Sequence, residues 1–280
     1  MNIDTAISNG SKVLSKNFIL SHQLDSEILM AKVLKKDRIF ILLNSDNTLN
    51  QNDLNNYFRL IKKRSLGNPI SYLTNKKSFW NSEFFITNDV LIPRPDTELV
   101  IENILKLTKQ KNKVQILDIG VGSGCILLSI LKERKNFYGT GIDISKKCLN
   151  ITKINANKLK VSSRVKLYKS DVDKFNLGKY DLIVSNPPYI NNYKIKYLDK
   201  GVAKFEPRLA LDGGLDGLSE IRKVIKKASE LIKKNGKFIL EIGFDQKNKV
   251  INILKKEGFY INTSLKDLAY NDRCIVSTKI

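Results

Sequence analysis

The chain has 280 residues, 42 % of them hydrophobic, and a net charge of +21 from 49 Lys and Arg against 28 Asp and Glu. That length and apolar content suit one large domain, or a large one beside a small one, with a core of real size. The longest apolar runs, "IFILL" and "CILLSIL", fall far short of a membrane span, and "MNIDTAISNGSKVLSKNFIL" lacks the basic start and apolar stretch of a secretory signal, so a cytoplasmic protein is expected.

Residues 1–90 hold 12 Lys and Arg against 8 Asp and Glu, and residues 91–280 hold 37 against 20, so the positive excess sits in the second part. A basic surface favours acidic partners such as nucleic acid or a ribonucleoprotein. The competing reading is compositional: Lys, Asn and Ile crowd the chain as in an AT-rich genome, and Lys is spread along many helices rather than gathered in one block. Compositional bias is the leading explanation. Cys125, Cys148 and Cys274 lie far apart, form no CxxC pair and are accompanied by a single histidine, His22, which speaks against a structural zinc site. The cysteines read as small core residues and His22 as a surface residue.

The first 75 residues read as helices. "LDSEILMAKVLKK" sets Leu24, Ile28, Leu29, Ala31 and Val33 on one apolar stripe, and "QNDLNNYFRLIKKRSLG" does the same with Leu54, Tyr57, Phe58 and Ile61 before Gly67. The period then changes. "ISYLTNKKSFWNSEFFITNDVLIP" is rich in aromatic and β-branched residues around an "NSE" turn and predicts a hairpin. In "IPRPDTE", Pro93 and Pro95 stiffen the chain, and Asp96 or Thr97 is placed to cap the helix "ELVIENILKLTK".

From residue 113 strands alternate with helices. The strands are "VQILDIG", "FYGTGID", "VKLYKSD", "YDLIVSN" and "KFILEIG", with two more near "YINTSLKDL" and "RCIVSTKI"; the helices are "CILLSILKERK", "SKKCLNITKINANKLK", "LSEIRKVIKKASELIKK" and "QKNKVINILKKEG". Near-continuous apolar strands alternating with helices predict an α/β fold with a parallel sheet covered on both faces. The expected division is 1–75 helical, 76–92 hairpin linker and 93–280 α/β.

Two stretches carry chemistry. "ILDIGVGSGCILLS" is a strand, a tight turn and a helix, and Gly120, Gly122 and Gly124 let the backbone come close to a ligand. Such a turn follows the first strand of nucleotide-binding sheets. The GxGxG spacing disfavours NAD, because the dinucleotide fingerprint needs glycine where Cys125 stands. The glycines alone already favour a ligand loop over a plain tight turn, and Asp143, which ends the next strand where a carboxylate can accept both ribose hydroxyls, strengthens the nucleoside reading. The second stretch is "DLIVSNPPYI". The prolines at 187 and 188 fix φ and extend the residues before them. The result is either a stiff exit from a strand or a rack of acceptors, the Asn186 side-chain oxygen and the Pro187 carbonyl, beside the flat wall of Tyr189. Two acceptors and a wall suit a planar –NH₂ group: an amide, or the exocyclic amine of a base.

"NPPY" after the fourth strand resembles the motif of S-adenosylmethionine-dependent amino-group methyltransferases, both N6-adenine and protein glutamine enzymes. "VLIPRPDTE" before the glycine turn, "FEPRLALDGGLDGL" after "NPPYI", and the N-terminal "AKVLKKDRIFIL" and "RSLGNPISYLTNKKSFW" narrow it. Together they resemble the bacterial peptide chain release factor glutamine methyltransferases (the PrmC/HemK family), over nearly the whole chain and in order. The resemblance implies a Rossmann-like methyltransferase fold with a mostly parallel seven-stranded sheet, a small N-terminal helical bundle that docks the substrate, and a linking hairpin. It implies N5-methylation of the glutamine in the GGQ motif of class I release factors, with S-adenosyl-L-methionine as cofactor, by a monomer holding no stable nucleic acid and no membrane. By position, Gly120, Val121, Gly122, Ser123 and Gly124 match its cofactor loop, Asp143 its ribose-binding acid, and Asn186, Pro187, Pro188 and Tyr189 its catalytic and substrate-binding motif, with Asn186 also near the cofactor. Val172 stands where some members carry an aromatic residue against the adenine. Arg94, Thr97 and Glu98 match the "RPDTE" stretch, expected near the reaction centre. An N6-adenine methyltransferase acting on DNA or RNA is the main rival, and a binding protein that has kept the fold without the activity is a second.

Overall fold

The computed structural model describes all 280 residues. Five helices open the chain: α1 (Ile3–Lys16), α2 (His22–Leu34), α3 (Arg38–Leu43), α4 (Gln51–Ser65) and α5 (Ile70–Thr74). Three of them start on a short polar residue whose side chain accepts an otherwise orphaned N–H: Asn2 from Thr5, Asp37 from Phe40 and Asn50 from Asp53. Their apolar faces meet in a core containing Leu14, Leu29, Met30, Ile41, Tyr57 and Ile61.

Helix α2 is rotated from the expected stripe. Leu24 is 42 % exposed, and the buried face carries Asp25, Ser26 and Glu27 beside Leu29 and Met30. Buried carboxylates need partners. Arg64 Nε lies 2.6 Å from Asp25 Oδ2 and Arg38 Nε 2.6 Å from Glu27 Oε2, so long-range ion pairs override the apolar period. His22 is half-buried rather than on the surface, with Nδ1 2.8 Å from Ser11 Oγ.

The hairpin is shorter than its composition suggests. "ISYLT" is helix α5, begun after Pro69 and ended by Asn75 at φ 58. The strands are β1 (Lys76–Phe79) and β2 (Ser82–Phe85), joined at Trp80 and Asn81. Then follow α6 (Glu98–Leu107), β3 (Gln115–Ile119), α7 (Cys125–Glu133), β4 (Tyr138–Asp143), α8 (Lys146–Lys158), β5 (Val165–Lys169) and β6 (Tyr180–Ser185). The chain closes with α9 (Lys200–Phe205), α10 (Ser219–Leu231), β7 (Ile232–Glu241), α11 (Lys247–Lys256), β8 (Phe259–Lys266) and β9 (Asp272–Lys279). Residues 1–76 and 199–205 form one compact unit, and residues 77–198 and 206–280 another. No helix is long and apolar enough to cross a membrane.

The seven expected strands form one sheet in the order β5-β4-β3-β6-β7-β9-β8. Strands β3 to β7 are parallel, and β9 runs antiparallel between β7 and β8. The chain winds outward from β3 through β4 and β5, then restarts on the other side with β6. The carboxyl ends of β3 and β6 therefore mark the switch point, where open α/β sheets leave a crevice for ligands. Ile119 is in register with Ile142 on one side and Ser185 on the other. The residues that follow these three, Gly120, Asp143 and Asn186, must emerge side by side.

Candidate active site

Gly120, Gly122 and Gly124 have φ of +78, +54 and +79, the left-handed region that glycine enters without steric cost. At Gly124 a Cβ would also lie 2.8 Å from both Leu128 Cδ1 and Thr152 Cγ2. Helix α8 braces the loop from behind: Thr152 Oγ1 donates to the Gly122 carbonyl at 2.8 Å, and Asn155 Nδ2 to the Ser123 carbonyl at 2.9 Å. The Gly120 and Val121 N–H groups both donate to the Ile142 carbonyl at 2.9 Å, which fastens the loop to β4. Gly122 N–H donates to Asp143 Oδ2 at 3.0 Å, and Ser145 N–H to Oδ1 at 2.8 Å. Burial pushes the Asp143 carboxyl above its ordinary range, while these two backbone bonds act to hold it down.

A cavity of about 850 Å³ opens over this edge. Its wall includes Gly120, Val121, Gly122 and Ser123 from the loop, Asp143, Val172 and the Asn186-Pro187-Pro188 turn, together with Arg94 and Thr97. Gly124, Tyr189 and Glu98 lie outside the wall. Gly124 shapes the turn. Glu98 accepts the Trp80 N–H at 2.7 Å and anchors the hairpin. Tyr189 packs against the sheet core, and burial raises its hydroxyl to about 12.

The Asn186 turn is held by residues far along the chain. Ile190 N–H donates to the Leu211 carbonyl at 3.0 Å and Gly213 N–H to the Ile190 carbonyl at 2.8 Å. Gln246 Nε2 donates to the carbonyls of Tyr189 and Gly217, at 2.9 and 3.0 Å. A Cβ at Gly213 would sit 2.9 Å from the Tyr189 Cα, so the "DGGLDG" stretch is glycine-rich because it packs against this backbone. The Asn186 Nδ2 lies 3.5 Å from Thr97 Oγ1. The Asn186 Oδ1 and the Pro187 carbonyl accept no hydrogen bond from the chain and are free to receive donors.

Neither Asp96 nor Thr97 caps α6 with its side chain. The Thr97 hydroxyl instead donates to Glu241 Oε2 at 2.8 Å. Arg94 pairs with the buried Glu206, Nη2 to Oε1 2.5 Å, and Glu206 also accepts the Ile92 N–H at 3.2 Å. Cys148 and Cys274 are buried as expected, but Cys125 is only half-buried and lines the cavity. Burial, with Asp118 and Glu241 near it, pushes its thiol up to about 12, which favours the neutral thiol over the thiolate.

Two acids were not singled out from the sequence. Asp118, 2 % exposed, lines the cavity and is raised by burial to about 7, with the Leu127 N–H opposing and the Asp143 charge adding to the rise. Glu241, 1 % exposed, is likewise raised by burial to about 7. Each sits in an otherwise apolar strand, in "ILDIG" and "KFILEIG". A charge in a buried strand is costly unless it has a task, and that was the available signal. The site as a whole offers acceptors and alignment, with no histidine or activated thiol in its wall.

Residues 95–216 match the model of the methyltransferase small domain, and residues 5–74 that of the PrmC N-terminal domain. The chain is 37 % identical to the release factor glutamine methyltransferase of Clostridium acetobutylicum over 282 residues, covering 100 % of this chain and 99 % of that one. It is 42 % identical to that of Clostridium botulinum over 273 residues, 96 % of each. A methyltransferase structure from Pyrococcus furiosus superposes with a TM-score of 0.52 at 18 % identity, over 70 % of this chain and 89 % of that one, a likeness of fold. With its full length matched above one-third identity, and with both halves recognised in order, the chain belongs to the release factor glutamine methyltransferase family.

Proposed function

We propose that the protein transfers a methyl group from S-adenosylmethionine to the side-chain amide nitrogen of the glutamine in the GGQ motif of class I peptide chain release factors. The carrying observation is that two free acceptors, Asn186 Oδ1 and the Pro187 carbonyl, share one cavity wall with the glycine loop and Asp143. The wall fits the donor. Its volume lies in the range of small-molecule sites, Asp143 offers a carboxylate to ribose hydroxyls, and a Cβ at Gly120 would meet nothing within 4 Å, leaving open ground beside the loop. Gly120 to Gly124 and Asp143 would hold the cofactor, with Val172 toward its base. When bound, the cofactor supplies an electrophilic methyl on a sulfonium whose thioether is a good leaving group.

An amide nitrogen is a poor nucleophile because its lone pair is delocalised, so alignment is the enzyme's main contribution. Asn186 Oδ1 and the Pro187 carbonyl accept the two amide protons of the glutamine and aim its nitrogen at the methyl carbon. They stabilise the positive charge that grows on nitrogen as the N–C bond forms. The surplus proton then leaves to water, which needs no base in the wall. Pro188 and Tyr189 stiffen the rack. The helices of residues 1–75 dock the release factor, and residues 93–280 perform the transfer. On this reading the protein is a cytoplasmic monomer acting in translation termination, and the basic charge plays no part in the chemistry.

The test is transfer of labelled methyl to purified release factor, to its GGQ Gln→Ala variant and to a DNA duplex. Label on the wild-type factor alone supports the reading. Label on DNA alone would make Asn186 and its prolines an adenine clamp and overturn it.

A further inference from the structure

Behind Asn186 lies a polar chain that the transfer itself does not use. Glu241 ends β7 and Thr97 precedes α6; they are 1 % and 2 % exposed. The Thr97 hydroxyl gives its only proton to Glu241 Oε2 at 2.8 Å. What remains on Thr97 Oγ1 is lone pairs, and Asn186 Nδ2 lies 3.5 Å away. The Asn186 side chain also favours the ionised form of the Glu241 carboxyl, as a donor does, and that form only accepts. Both contacts call for donors from Asn186.

We propose that Glu241, acting partly through Thr97, is a positioning residue that sets which face of the Asn186 amide looks into the cavity. The inference rests on the function proposed above. A side-chain amide is nearly symmetric in shape, and only its partners decide which end is oxygen. With Glu241 ionised, the NH₂ end is drawn inward and Oδ1 is presented to the substrate. With Glu241 neutral, the Thr97 proton is free to turn toward Asn186, and the amide can present NH₂ instead. That face would meet the donor –NH₂ of a glutamine with two more donors, and the nitrogen would no longer be held on line.

The groups facing Glu241 come from several elements. Arg273 on β9 favours its ionised form; Asp96 and burial oppose it. Tyr189, Cys125 and Cys274 feel its charge, and burial raises all three, so they stay neutral near pH 7. Glu241 itself, at about 7, is the member of this set that changes charge there.

The test uses the full chain, labelled S-adenosylmethionine and release factor, with Glu241→Gln, Thr97→Val and Thr97→Ser. We expect E241Q and T97V each to lower kcat by about 10-fold to 100-fold, the scale of a misaligned reactant. The dissociation constant for S-adenosylmethionine, read by calorimetry, should stay within about twofold, and T97S, which keeps the hydroxyl, should restore kcat to within about threefold of wild type. The double variant should be no slower than the slower single variant, because both cut one chain. Wild-type kcat should fall as pH drops through about 7, and E241Q should lose that limb. An E241Q kcat within about twofold of wild type with its acid limb intact overturns the proposal. A T97V enzyme with wild-type kcat overturns it as well, and decides the matter should E241Q fail to fold. If wild type labels the factor and these variants do too, only the positioning role falls; if wild type does not, the proposed function falls and takes this role with it.

Discussion

Asn155 on α8 and Phe85 on β2 exchange two hydrogen bonds, Phe85 N–H to Oδ1 at 2.7 Å and Nδ2 to the Phe85 carbonyl at 2.9 Å. The same Nδ2 reaches the Ser123 carbonyl. One fully buried amide therefore ties the hairpin to the glycine loop. Asn155→Ala strands a buried N–H and two carbonyls, and the cost should be about 2–4 kcal/mol of stability. Chemical unfolding should show a lower midpoint, and calorimetry a weaker affinity for S-adenosylmethionine. A variant with the wild-type midpoint would mean that the hairpin is held elsewhere.

Asp143 receives two backbone N–H groups from its own loop edge. Asp143→Asn keeps the shape but turns one oxygen into a donor facing another donor. On the proposed reading a ribose would also lose a charged acceptor. Cofactor affinity should weaken by about 10-fold to 100-fold, the worth of one charge-assisted hydrogen bond. Isothermal titration reads this directly, and kcat at saturating cofactor should change much less.

Asn186→Ala removes the acceptor at little cost to the sheet, since its side chain makes a single hydrogen bond, at 3.5 Å to Thr97 Oγ1. Turnover should fall by about 100-fold to 1000-fold, as for loss of one oriented group at a developing charge. Thermal unfolding should scarcely move. Unchanged turnover would remove Asn186 from the mechanism.

Asp118 supplies a pH test of stability. Its carboxyl is raised from 3.8 to about 7 in the folded chain, chiefly by burial. A group raised on folding contributes stability that is complete below its unfolded value and is lost as pH rises through the folded one. The loss therefore falls between about 4 and about 7. Asp118→Asn does not titrate, so its stability relative to wild type should improve from about pH 5 to about pH 8, by up to a few kcal/mol. Unfolding curves at the two pH values check the slope; a flat difference would show that Asp118 is ionised throughout.

The strands and the glycine turn were legible because each is a local pattern: an apolar run, then residues that only a tight left-handed turn requires. Order along the sheet then placed Asp143 and Asn186 beside the loop. What was not legible involved partners far along the chain. Periodicity counts Asp25 and Glu27 as outward residues, whereas Arg64 and Arg38 draw them in. Thr97 reads as a helix cap because its better acceptor, Glu241, is 144 residues away. "ISYLT" has strand-like composition, yet five residues between Pro69 and the left-handed Asn75 form a single helical turn and a half. Tyr189 reads as a pocket wall from its neighbours, while its ring lies against the sheet core.

The Ile190 bridge to Leu211 and Gly213 closes the base of residues 191–211 on both strands of the exit. Those residues form a long excursion that leaves and re-enters the fold at one point, like a bight of rope clamped at the cleat. Lengthening such a segment costs only about 0.6 kcal/mol per doubling of its length. A longer tip to the excursion is therefore cheap, while Glu206 near its end still ties the returning chain to Arg94 of the cavity wall.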